Sequence, residues 1–95
     1  MVTHIVIFTW VAEATSEQVG GFRHALDQMA SKLKEVAVIS HGADLHFREG
    51  NGDYALVATF SDRTAWEAYQ AHPIHKAFVR DFVTPLQASR RTIQI

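Results

Sequence analysis

Residues 68 to 78 read AYQAHPIHKAF and set Tyr69, His72 and His75 three positions apart, with Pro73 between the two histidines. A histidine of ordinary pKa takes or gives a proton near neutral pH. A tyrosine hydroxyl can donate a hydrogen bond to a developing enolate or oxyanion. A Tyr–His pair inside an apolar cavity therefore suits proton abstraction next to a carbonyl. On one unbroken helix the three side chains would form a stripe. Pro73 breaks it, because proline lacks an N–H and pushes His72 out of helical geometry. Tyr69 then falls in the last turn of one helix and His75 in the first turn of the next, and the kink can turn both inward. The same residues also fit a structural role, with His75 bonding a free helix-end group and Tyr69 packed with its hydroxyl at the surface. Metal ligation by His72 and His75 would need both rings aimed at one point. No His-Glu-x-x-His motif or cysteine pair supports it, so no metal is expected. Asp44, Asp53, Asp62 and Asp81 read as isolated carboxylates, solvated or capping.

The elements that must position these groups are legible in outline. THIVIFTW, residues 3 to 10, has the composition of a strand, with His4, Val6, Phe8 and Trp10 on one face and Ile5 and Ile7 on the other. Thr15 or Ser16 caps a helix whose apolar positions run Val19, Phe22, Leu26, Met29, Ala30 and Leu33. Gly20 and Gly21 weaken that helix by about 1 kcal/mol each relative to alanine, and a close backbone approach would explain them. A second strand is expected over residues 36 to 47, with a bulge or bend at Gly42, followed by a turn at Asn51-Gly52. DYALVATF, residues 53 to 60, reads as a third strand with Tyr54, Leu56, Ala58 and Phe60 on one face. Ser61 or Asp62 caps a second helix that Pro73 interrupts, helix resumes over residues 73 to 83, and RRTIQI from Arg90 closes as a fourth strand.

The order β-α-β-β-α-β predicts an α+β, ferredoxin-like protomer, a four-stranded antiparallel sheet with its helices on one face, as a single domain over residues 1 to 95. On the helix side, His4, Val6, Phe8, Phe22, Tyr54, Leu56 and Phe78 are expected around Tyr69 and His75 as the binding pocket, with Phe82 a plausible wall. The opposite sheet face, with Ile5, Ile7 and Val57, would lie open to water in a monomer. Packing two such sheets together predicts a homodimer that closes into an α/β barrel.

Composition narrows the function classes. A net charge of −1 argues against a nucleic-acid footprint. The absence of cysteine removes disulfides, thiol catalysis and cysteine-ligated zinc. No apolar run approaches a membrane span, and the first ten residues lack a signal-peptide pattern, so a cytoplasmic protein is expected with neither membrane nor nucleic-acid partners. A chain of 95 residues buries a small core, which makes a partner's contact area valuable. His24 reads as exposed, His41 and His46 as strand-edge residues without a role, and Trp66 as packing.

THIVIFTW, DYALVATFSD and above all AYQAHPIHKAF resemble the stress-responsive α/β-barrel (Dabb) domain family over essentially the whole chain. The resemblance implies a ferredoxin-like protomer in a dimeric barrel. A plant polyketide cyclase of that family works by cofactor-free aldol condensation, and its catalytic tyrosine and histidine match Tyr69 and His75. Its strand-one pocket histidine matches His4. The chain departs from it at Tyr54, where the cyclase has a histidine, and at Leu26, where it has a tyrosine. Two functions follow as expectations. One is a homodimer that binds a small apolar or carbonyl-bearing molecule and catalyses proton transfer or aldol-type cyclisation of a polyketide-like substrate without a cofactor. The other is a non-enzymatic stress-response or structural protein. A monooxygenase of the related dimeric barrels shares the fold but not the motif.

Overall fold

The computed structural model describes residues 1–95. The β-branched opening forms β1 (Val2–Trp10), and the Thr15-capped segment forms α1 (Ser16–Lys32). β2 (Val38–Ala43) and β3 (Tyr54–Phe60) follow. The second crossover is divided at Pro73 into α2 (Arg63–Ala71) and α3 (Pro73–Phe78), and a π-helical turn (Val79–Val83) leads to β4 (Gln87–Gln94). The sheet order is β2-β3-β1-β4 with every neighbouring pair antiparallel, the ferredoxin-like arrangement.

Local chemistry sets the helix starts. The Thr15 hydroxyl accepts from the Gln18 N–H while the Gln18 side chain accepts from the Thr15 N–H, a reciprocal capping box. The Asp62 carboxylate accepts from the Ala65 N–H at 2.9 Å. Each such cap is worth about 1 kcal/mol.

The core lies between sheet and helices. Phe22 is fully enclosed, its ring centroid 4.9 to 5.4 Å from those of Phe8, Trp10, Tyr54 and Phe78. Burying one such ring contributes roughly 1.5–3 kcal/mol. Leu26, Met29 and Leu33 continue the buried stripe of α1 against the sheet. The alternate sheet residues turn away from the helices: Ile5 pairs with Val57 and Ile93, while Ile7 and Ile93 remain 42% and 55% exposed.

Several expectations needed correction. β2 is shorter than residues 36 to 47, and Gly42 pairs regularly with Ala55, so no bulge forms there. The irregularity lies between Thr9 and Trp10, where the register with β4 shifts. Asp53 is no isolated carboxylate, since it accepts from the Trp10 N–H at 2.7 Å and its own N–H donates to the Phe8 carbonyl at 2.8 Å. That stitch draws Gly52 against β1, where a Cβ would lie 2.3 Å from Ile7 Cγ2. Gly20 and Gly21 have no such excuse, for added Cβ atoms would meet nothing within 4 Å. β4 begins at Gln87 rather than Arg90. The helix expected to run on to residue 83 changes pitch after Phe78, with the Thr84 N–H bonding the Val79 carbonyl five residues back.

Candidate active site

A cleft of about 580 Å³ opens between the sheet and the divided crossover, within the size range of small-molecule sites. β1 contributes His4, Val6 and Phe8, and β3 contributes Leu56. From α2 come Trp66, Tyr69 and Gln70, and from α3 His75, Lys76 and Phe78. The π-helical turn supplies Val79, Arg80 and Val83, and β4 supplies Arg90, Thr92 and Gln94.

Pro73 creates the junction, and His72 secures it. The His72 backbone is extended, and its Nδ1 accepts from the Ile74 N–H at 3.1 Å, capping α3. One histidine of the motif is thus spent on the kink. The other, His75, lies with its ring centroid 4.3 Å from that of Tyr69. His4 faces the same tyrosine from the sheet at 6.5 Å, while its Nδ1 pairs with the Gln94 side-chain amide at 2.9 Å.

Burial sets the electrostatics. It pushes the Tyr69 hydroxyl well above its ordinary range, so the phenol stays protonated and can donate. His75 is pushed below its ordinary 6.5, first by burial and then by the positive charges around it, while the Gln70 carbonyl pulls the other way. His4 is lowered by burial and by the Arg90 guanidinium. Both imidazoles are therefore neutral at pH 7, the form that accepts a proton. His75 Nδ1 and Trp66 Nε1 are enclosed without hydrogen-bond partners. No three His, Asp or Glu side chains are grouped as a metal ion would need.

Of the residues named from sequence, His4, Val6, Phe8, Leu56, Tyr69, His75 and Phe78 converge on the cleft. Phe22 and Tyr54 do not line it. Phe22 is the centre of the aromatic core, and Tyr54, 1% exposed, donates to or accepts from His41 Nδ1 at 2.6 Å. His41, given no role from sequence, bridges on to the Asp27 carboxylate at 2.6 Å and so ties α1, β2 and β3 together. Phe82 faces the groove between α1 and α3 instead. Trp66, read as packing, is half-buried and walls the cleft. The polar row Arg90, Thr92 and Gln94 was missed, although simple alternation along RRTIQI puts those three on one face.

A family model described as the Stress responsive A/B Barrel Domain matches residues 2–95. A dimeric ferredoxin-like protein from Thermobifida fusca is 33% identical, with a TM-score of 0.91 over 99% of this chain and 88% of that one. A Dabb family protein with a ferredoxin-like fold from Mesorhizobium loti is 23% identical, with a TM-score of 0.82 over 99% and 93% of the two chains. A hydroxynitrile lyase from Passiflora edulis shares the fold at 18% identity, with a TM-score of 0.78 over 99% and 90%. No curated protein matches the sequence.

Proposed function

The chain belongs to the stress-responsive A/B barrel domain family, and from that membership and the cleft we propose a homodimer that binds a small, apolar, carbonyl-bearing molecule and catalyses cofactor-free proton transfer. The observation that carries the reading is the Tyr69–His75 pair, 4.3 Å between ring centroids, with burial holding both groups neutral beside a cleft of about 580 Å³. The neutral His75 imidazole removes a proton from the carbon next to the carbonyl. The electron pair moves onto the carbonyl oxygen, where the Tyr69 hydroxyl donates to it. In an aldol-type cyclisation the enolate carbon then bonds to a second carbonyl carbon of the same molecule. That carbonyl's π pair goes to its oxygen, which recovers the proton from His75. No electrons leave or enter, so no redox cofactor is required. His4, held by Gln94, is placed to bind a carbonyl or a water.

The dimer places the open faces of two sheets together over Ile5, Ile7, Val57 and Ile93. Two observations support it: the exposure of that apolar face, and the dimeric state of the Thermobifida fusca relative. A helix long and apolar enough to cross a membrane is absent.

The test is single-turnover deuterium exchange or cyclisation across a panel of β-diketones and β-keto thioesters. His75→Ala should lower the rate by about 10²- to 10⁴-fold and Tyr69→Phe by a smaller factor, both with the fold retained. Full activity in a folded His75→Ala dimer removes the proposal. Variants that change only melting temperature, with no ligand affinity altered, would favour the non-enzymatic reading.

A further inference from the structure

Resting on that reading of the cleft, we propose that its ligand is an acid, whose carboxylate is held by the Arg90 guanidinium while the apolar body lies on Val6, Leu56 and Phe78. The strand topology makes the case. β4 is an edge strand, and its register with β1 sets Arg90 opposite Phe8, Thr92 opposite Val6 and Gln94 opposite His4. On β1 this face is apolar apart from His4 and is buried, whereas on β4 it is polar throughout and exposed. A strand built only to close the core would carry apolar residues at these positions. The row instead presents a charged donor at one end, a hydroxyl in the middle and an amide beside His4, all lining the cleft.

Charge sharpens the assignment. The cleft is lined by Lys76, Arg80 and Arg90 and by no aspartate or glutamate, in a chain whose net charge is −1. Arg80 is already engaged, with Nε 2.8 Å and Nη2 3.0 Å from the Asp81 carboxylate. Arg90 takes part in no ion pair, and its planar fork matches a carboxylate. Its charge also bears on His4 and His75, favouring the neutral form of each. A ligand anchored at Arg90 runs along the polar row, which places its far carbonyls beneath the Tyr69–His75 pair.

Isothermal titration with two matched probe pairs, 2-naphthoate against 2-naphthamide and decanoate against decanamide, tests this. The acids should bind about tenfold more tightly than their amides, the equivalent of one charge-assisted contact. Arg90→Gln should abolish that preference, weakening the acids until they bind no more tightly than their amides. Arg80→Gln, removing a guanidinium already paired with Asp81, should leave the acid preference in place. Equal binding of acids and amides by the unaltered protein, or an acid preference that survives Arg90→Gln, overturns the assignment while the cleft reading stands. Failure of all four probes to bind overturns both.

Discussion

His75 and His4 show how one environment serves chemistry and costs acid stability. Each is held below the ordinary histidine value of 6.5 by burial, so below that pH the unfolded chain binds protons that the folded one does not. Stability is therefore complete above about pH 6.5 and declines as pH falls through the lowered folded values. The melting temperature should be flat from about pH 8 to 7 and drop toward pH 5. The double variant His4→Gln, His75→Gln should show a shallower drop, measured by circular dichroism in matched ionic strength. An unchanged slope would mean that neither histidine is held neutral by the fold. The motif itself was legible at this scale: Tyr69, His72, Pro73 and His75 announce a helix junction. What the linear order hid was how His72 serves that junction, its Nδ1 accepting from the Ile74 N–H to cap α3. Whether a histidine accepts a cap bond or lines a cavity depends on the dihedral angles at the kink, and residue spacing does not specify those.

At the scale of elements, two glycines of the same type sit under opposite constraints. Gly20 is exposed in α1 with open space where a Cβ would go, so Gly20→Ala should stabilise the protein by up to about 1 kcal/mol, at most roughly 4–8 °C in Tm. Gly52 lies against Ile7 and the Phe8 carbonyl, so Gly52→Ala should destabilise by about 1–3 kcal/mol. Thermal denaturation of the two variants settles both, and a destabilising Gly20→Ala would reveal a constraint on α1 outside this fold. The helix starts were readable to within two residues each, Thr15 or Ser16 and Ser61 or Asp62, because a cap is local chemistry within four residues, and the structure selects Thr15 and Asp62. β2 was overextended because β-branched composition does not mark where pairing stops. The Asp44–Asp53 bond closes the connection to β3, and the Asp53 stitch to β1 joins residues 43 apart in sequence, which local composition does not show.

The whole molecule carries an unbalanced sheet. One face is covered by helices, and the other presents Ile5, Ile7, Val57 and Ile93, uncovered by any helix and met from the same chain at Ile7 by Gly52. A domain this small gains more from covering such a face than a large one would. The paired substitution Ile5→Lys, Val57→Lys should convert the proposed dimer to a monomer in analytical ultracentrifugation at micromolar concentration. It should also lower Tm, because the partner's contact area is lost. A dimer that survives both charges would place the interface elsewhere on the protomer.

The sequence by itself determined the element order, the ferredoxin-like topology, the two helix starts to within two candidate caps each, and the Tyr69-x-x-His-Pro-x-His75 junction, because each is written in local composition or in the alternation of apolar residues. Tertiary structure alone decided that Phe22 and Tyr54 belong to the core rather than to the cleft, that His41 joins Asp27 to Tyr54, and that Arg90, Thr92 and Gln94 form the cleft's polar wall. The physical reason is common to all three. Periodicity assigns a side chain to a face, but position along that face, and so which cavity or partner it meets, follows from register across the sheet and from where α2 and α3 diverge at Pro73.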